Sequence, residues 1–121
     1  MKSTLSKLFL TLVIISLAQF ASADVTGSWV FAVTLGDLGS GNASITLNQE
    51  AEGKLTGTYS GQLANGPITG SYEGDSFNFS FSSDALGADI TYSGEMRENG
   101  TVAGTVSAQG QEMGTFTGDK Q

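Results

Sequence analysis

The chain has 121 residues, enough for one domain, and it contains neither Cys nor His. Thiol catalysis, Cys metal sites and the commonest acid–base side chain are therefore excluded, and no disulfide stabilises the fold. Twelve acidic residues stand against five basic ones, so the formal net charge is −7. We expect no binding to nucleic acid, because a surface of this charge repels phosphate.

The N-terminal segment has the pattern of a secretory signal peptide. Two lysines precede an apolar stretch over residues 8–18, and an Ala-Ser-Ala motif ends at Ala23. We predict cleavage after Ala23, which separates a signal peptide over residues 1–23 from a secreted or periplasmic domain over residues 24–121 with no membrane span. An uncleaved N-terminal anchor is the alternative. The mature domain keeps three cations and all 12 acidic residues, a formal charge of −9.

From Val25 onward, apolar and polar residues alternate with a period of two, and no helical periodicity is present. The pattern predicts eight short strands joined by hairpin-like loops, without a long crossover. We therefore predict an all-β fold, an eight-stranded antiparallel up-and-down meander that closes into a small barrel. Closure removes the exposed strand edges. A two-sheet β-sandwich is the alternative, but its connections require longer loops.

Two similar units, Thr-Gly-Thr-Tyr and Thr-Gly-Ser-Tyr, flank an Asn-Gly turn signal in the middle of the chain and predict a β-hairpin. The turn signal is followed by a proline, which has no N–H and cannot close a tight two-residue turn. We therefore predict a four-residue loop over residues 64–67. This loop pairs Tyr59 with Tyr72 and Gly61 with Gly70.

The turns that follow predict the register of two later hairpins. A Gly-Asp turn places Tyr72 opposite Phe77, and a three-residue loop that ends in a glycine places Gly94 opposite Gly104. Both registers keep aromatic residues and glycines on the inward face.

The predicted inward face interleaves large rings with glycines, and two interpretations remain open. Side chains alone can fill the barrel, with glycine where strands coil sharply and a cross-strand ring over the bare backbone. Alternatively, the rings line a pocket at the barrel mouth, with tyrosine hydroxyls as polar handles. The predicted register brings the three tyrosines near one another. On the second interpretation the candidate ligand-binding residues are Tyr59, Tyr72, Phe77, Phe79, Tyr92 and Phe116.

Two short motifs resemble those of the calycin barrels. Gly27-Ser28-Trp29, at the start of the first predicted strand, resembles the G-x-W motif of lipocalins and avidins, and residues 53–59 (GKLTGTY) resemble the G-x-x-T-G-T-Y run of avidin-type barrels. The resemblance implies a barrel that binds a small molecule, with Tyr59 in the ligand cavity and Trp29 as a plug at one barrel end. The chain has one Trp where avidins use several around biotin, and its last strand has no Arg to cover that Trp. The resemblance therefore does not extend to biotin.

Residue chemistry and resemblance together favour a binding protein. We expect an exported, monomeric protein without enzyme activity, cofactor or metal, which binds a small, partly apolar or aromatic ligand in its interior. The alternative is a structural module with a fully packed core. Such a module would bind another envelope protein, a glycan or a cation through its hydroxyl-rich outer face or through its acidic loops.

Overall fold

The computed structural model describes residues 24–121, and the predicted signal peptide over residues 1–23 lies outside the described residues. The described chain forms eight antiparallel strands: β1 (Gly27–Thr34), β2 (Ser40–Gln49), β3 (Lys54–Ser60), β4 (Asn65–Glu73), β5 (Ser76–Ser83), β6 (Ala88–Met96), β7 (Val102–Ala108) and β8 (Gln111–Lys120). Each strand pairs with the next, and β8 pairs with β1, so the sheet is a closed barrel. The predicted fold class is confirmed. In this range no helix is long and apolar enough to cross a membrane.

Alternation along each strand decides which side chains enter the barrel. In β5, Phe77, Phe79 and Phe81 are 3%, 0% and 8% exposed, whereas the Ser and Asn residues between them face outward. Complete burial of one such ring stabilises the fold by about 1.5–3 kcal/mol. The inward side chains of all eight strands form one core cluster.

The meander places its loops at two opposite ends of the barrel. The Trp29 end carries the loops over residues 50–53, 74–75 and 97–101, and the Tyr59 end carries those over residues 35–39, 61–64, 84–87 and 109–110. A short 3-10 turn, Gly36–Leu38, lies in the first loop of the Tyr59 end.

The predicted register of the β3–β4 hairpin is wrong. Tyr59 pairs with Gly66 instead of Tyr72, a shift of six residues, and Leu55 rather than Gly61 pairs with Gly70. The turn lies at residues 61–64, where the Gly61 N–H donates to the Ala64 carbonyl oxygen (3.0 Å). The Asn-Gly signal instead begins β4. Because the shift is even, every side chain keeps its predicted face.

The two later registers are confirmed, since Tyr72 pairs with Phe77 and Gly94 pairs with Gly104. The β4–β5 ladder, however, runs only from Thr69–Ser80 to Glu73–Ser76 and is the shortest of the eight. Residues 65–68 of β4 pair with β3 alone, and residues 81–83 of β5 pair with β6 alone. We call this gap between residues 65–68 and 81–83 the β4–β5 seam.

Candidate functional site

A cluster of stacked rings fills the middle of the barrel. Tyr92 stacks on Phe79 with ring centroids 5.0 Å apart, and Phe31 stacks on Phe116 at 4.7 Å. The Tyr92 and Phe116 rings lie 5.1 Å apart and join the two stacks. All four residues are at most 2% exposed. Most of the inward space is therefore occupied by side chains, as the packing interpretation expects.

Tyr59 and Tyr92 share a buried hydrogen bond between their hydroxyl oxygens, which lie 2.9 Å apart. The two residues are 3% and 0% exposed. Only one hydroxyl can donate to the other, and no acceptor for the second hydroxyl hydrogen is found within residues 24–121. Burial raises the pKa of both tyrosines, so both hydroxyls are protonated at neutral pH. The pair therefore holds one spare donor inside the cluster.

The structure brings together five of the six predicted ligand-binding residues. Tyr59, Phe77, Phe79, Tyr92 and Phe116 belong to one connected set of aromatic contacts. Tyr72 lies apart from this set. Its half-buried ring is near the Trp29 end, where its hydroxyl donates to the Glu50 carbonyl oxygen at 2.7 Å.

Trp29 lies at the opposite end of the core from Tyr59. It is 1% exposed, and its Nε1–H donates to the Val25 carbonyl oxygen at 2.8 Å. The Lys120 Nζ stands 5.9 Å from the centroid of the indole ring, within reach of a cation–π interaction. A lysine of the last strand thus covers Trp29 where no arginine is available.

The Tyr59 end holds a small cavity of about 30 Å³, roughly the space of one water molecule. Its lining is mainly apolar and includes Val33, Leu35, Ala43 and Leu63 beside Tyr59. Leu38, in the 3-10 turn above the cavity, is 62% exposed and is the one large exposed apolar residue found in the described range. This end combines exposed apolar surface with the approach to the tyrosine pair.

Two further concavities lie on the outside of the barrel. The seam groove, about 270 Å³, follows the β4–β5 seam and is lined by Ala64, Asn65, Gly66, Pro67, Phe81 and Ser82. The outer groove, about 840 Å³, lies across β4–β7 and is lined by hydroxyls, the Asn78 amide, glycine backbone and the carboxylates of Glu52, Glu73 and Glu95. Two of the predicted ligand-binding residues, Tyr72 and Phe77, also line it. No group of three or more acidic side chains in residues 24–121 is arranged to hold a metal ion.

Sequence reasoning missed two residues of this region. Ser83 ends β5 and is 2% exposed, the one residue classed as polar that is buried in the described range. Phe81 is not among the predicted ligand-binding residues, although it borders the seam groove. The alternation that places the three Phe of β5 inward extends to Ser83 and was a signal for its burial.

Comparison with known proteins supports the fold. No protein-family profile matches the chain, and no curated protein matches it in sequence. A redesigned β-barrel is similar in structure, with a TM-score of 0.61 and 14% identity over 80% of this chain and 91% of that chain. A mutant of the fluorescent protein UnaG has a TM-score of 0.49 and 12% identity, covering 79% of this chain and 95% of that chain. The protein thus belongs to the class of small closed antiparallel β-barrels, with a buried aromatic cluster.

Proposed function

We propose that the protein is an exported, non-catalytic, calycin-like barrel that binds a small, partly apolar ligand at its Tyr59 end. The observation that carries this proposal is the buried Tyr59–Tyr92 pair, whose spare hydroxyl hydrogen lies beneath an apolar mouth. A buried donor without a partner is unfavourable by about 1–3 kcal/mol, and a ligand that accepts its hydrogen removes that penalty.

The ligand must displace protein atoms, because the cavity at this end holds only about 30 Å³. No charged side chain lines this cavity, so the atoms that the ligand displaces are uncharged. Burial of apolar ligand surface there stabilises a complex by about 25 cal/mol per Å² of area removed from water.

A titration followed by NMR tests the site. The probe is prodan (6-propionyl-2-dimethylaminonaphthalene), an uncharged aromatic ketone. We expect saturable shifts of the backbone amides near Tyr59, Phe81 and Tyr92. The Trp29 Nε1–H, which is bonded to Val25 at the far end, serves as an internal control and should not move. An absence of saturable shifts, or shifts confined to the Trp29 end, would contradict the proposal.

The outer groove supports a second candidate, an interaction module that binds a cationic protein segment. Its lining contains three carboxylates and no Lys or Arg, so a basic peptide complements its charge. A Lys- and Arg-rich peptide should bind at low salt and weaken as the salt concentration rises. Glu73→Gln with Glu95→Gln should weaken that binding, whereas Glu112→Gln, outside the groove, should not. Binding that ignores both salt and the groove substitutions would exclude this role.

A further inference from the structure

The β4–β5 seam is the place where the barrel wall lacks a ladder. Residues 65–68 of β4 and residues 81–83 of β5 do not pair with each other. Each segment pairs only with the strand on its other side, β3 for the first and β6 for the second. Unpaired backbone in a sheet opens more readily than a continuous ladder, because fewer hydrogen bonds must break. Pro67 lies in this stretch, and proline is found in sheets mainly at such edges.

Phe81 forms the partition between the seam groove and the tyrosine pair. It borders the groove, and the residue is 8% exposed. Its other side lies in the core, with ring centroids 4.3 Å from Tyr59 and 6.0 Å from Tyr92. Rotation of this single ring would connect the seam groove of about 270 Å³ with the spare hydroxyl donor.

Ser83 links the two sides of the seam. Its hydroxyl donates to the Leu63 carbonyl oxygen at 2.7 Å and accepts from the Leu86 N–H at 3.2 Å. Leu63 belongs to the loop that precedes β4, so the first bond crosses the seam at its open end. One side-chain hydrogen bond replaces the main-chain ladder found in the other strand pairs.

The charges of the described residues limit the chemistry of a ligand bound here. The cations of this range, Lys54, Arg97 and Lys120, belong to the Trp29 half of the barrel, and none lines the seam groove or the Tyr59-end cavity. An anion buried beside Tyr59 and Tyr92 would have no opposite charge to offset its lost hydration. The spare hydroxyl hydrogen requires an acceptor, and an uncharged ketone, ester or ether oxygen supplies one.

We propose that an uncharged, apolar ligand with one hydrogen-bond acceptor binds through the β4–β5 seam, with Phe81 turned aside and the acceptor on the Tyr59–Tyr92 pair. This inference rests on the proposed ligand binding and adds its route and its chemical class. The ligand enters through the seam rather than through the cavity at the Tyr59 end.

Two engineered disulfides separate the seam from the mouth, since the chain has no Cys of its own. Pro67→Cys with Ser82→Cys is the seam lock. Gly41→Cys with Gln62→Cys is the mouth lock, because both residues line the cavity at the Tyr59 end and an added Cβ at Gly41 would lie 3.8 Å from the amide end of the Gln62 side chain. Prodan binding is measured for each protein oxidised and after reduction. We expect the seam lock to abolish binding reversibly and the mouth lock to leave it within about twofold, because closing an unused opening removes no contact.

The outcomes distinguish the two proposals. If the mouth lock abolishes binding and the seam lock does not, the seam inference is wrong while ligand binding stands. If both locked proteins bind prodan normally, the seam inference is also wrong. If the unlocked chain fails to bind prodan and any member of a panel of uncharged aromatic ketones and esters, the proposed function itself fails.

A second pair of variants tests the seam route if the two seam cysteines do not form a disulfide. Ser83→Ala removes the hydroxyl that crosses the seam. Ser80→Ala removes a comparable hydroxyl of the same strand, bonded to Thr91 at 2.8 Å within a complete ladder. We expect Ser83→Ala to raise the association rate of prodan several-fold and Ser80→Ala to leave it unchanged. Equal rates in both variants would overturn the seam route.

The ligand class has its own test. Replacing both tyrosines with Phe removes donor and acceptor together, which leaves no unpaired group and preserves shape. We expect this double variant to bind prodan about tenfold more weakly, a factor equal to one hydrogen bond. N-phenyl-1-naphthylamine, which has no carbonyl, should bind both proteins alike. Its sulfonated analogue, 1-anilinonaphthalene-8-sulfonate, should bind at least about tenfold more weakly than N-phenyl-1-naphthylamine. Equal affinities for the two probes would refute the proposal that the ligand is uncharged.

Discussion

At the scale of single residues, the packing of the interior depends on pairs in which an aromatic ring lies opposite a glycine of the neighbouring strand. Five such pairs occur: Phe31 with Gly118, Tyr59 with Gly66, Phe77 with Gly94, Phe79 with Gly70 and Phe116 with Gly104. A glycine opposite a ring leaves the volume that the ring fills and permits the sharp coiling that a small barrel requires. The repeated combination of glycine and ring is therefore first of all a packing device.

The glycine requirement is testable at Gly104. An added Cβ would overlap the Ser93 carbonyl oxygen and lie 2.6 Å from the Gly94 Cα, and neither backbone atom can yield easily. We expect Gly104→Ala to lower the free energy of unfolding by about 3 kcal/mol or more, measured by denaturant titration. Gly41→Ala is the matched control, because its Cβ would meet only the Gln62 side chain at 3.8 Å. It should change stability by less than about 1 kcal/mol; equal effects would contradict the packing argument.

The tyrosine pair predicts how stability depends on pH. Burial raises the pKa of Tyr92 above its ordinary value of 10.0, so the fold favours the neutral hydroxyl. That stabilisation is complete below about pH 10, where the unfolded chain is also neutral, and it is lost as the pH rises further. We expect the free energy of unfolding to fall between about pH 10 and 11.5, and to fall less steeply in Tyr92→Phe. Parallel slopes for the two proteins would show that the pair is not responsible.

At the scale of elements, the β4–β5 junction differs from the other seven, because its ladder ends while both strands continue. The β7–β8 ladder has a shift in register between Val106 and Ser107 but continues beyond it. The β4–β5 ladder stops at Thr69 and Ser80, and beyond it only the Ser83 hydroxyl connects the two sides. The same region contains the hairpin whose register differs from the predicted one. Leu63 packs into the core from the loop, and its carbonyl oxygen accepts the Ser83 hydrogen bond. Register and seam are thus parts of one arrangement.

Hydrogen exchange measures the seam directly. The seam-facing amides of Asn65, Gly66, Ile68 and residues 81–83 should exchange at least about tenfold faster than those of the complete β5–β6 ladder, because they open without breaking a ladder. Pro67 has no amide hydrogen. Ser83→Ala should increase exchange at the seam and leave the β6–β7 ladder unchanged. Uniform protection along β4 and β5 would mean that the seam is as closed as the rest of the wall.

At the scale of the whole molecule, closure through β1 and β8 leaves two unlike ends. The Trp29 end is capped by the indole ring and Lys120, whereas the Tyr59 end carries exposed Leu38 and the small cavity. Because closure gives each described strand two neighbours, no strand of residues 24–121 is an edge along its whole length, and the β4–β5 seam is too short to recruit a second copy. With a formal charge of −9 over residues 24–121, self-repulsion also opposes association.

We therefore expect a monomer. From the cleavage site predicted after Ala23, we also expect the exported chain to begin at Asp24. Expression with its own N-terminal segment in a secreting host should yield a chain whose intact mass corresponds to residues 24–121. Light scattering of this material should give the mass of one copy at both low and high salt. A product that retains residues 1–23 would favour the membrane-anchor alternative, and a dimer mass would contradict the argument from strand edges.

The period-two alternation by itself determined the strands, their inward faces and the meander. These are local properties, since alternate side chains of a strand point to opposite faces whatever the strand pairs with. It also identified Phe79, Tyr92 and Phe116 as interior. The tertiary structure alone decided that Tyr59 meets Tyr92 while Tyr72 bonds to Glu50, and that the wall opens between β4 and β5. The reason is that a hairpin shifted by an even number of residues keeps every side chain on the same face, so the alternation is identical in both registers. The registers differ in tertiary contacts, namely the packing of Leu63 and the Ser83 hydrogen bond.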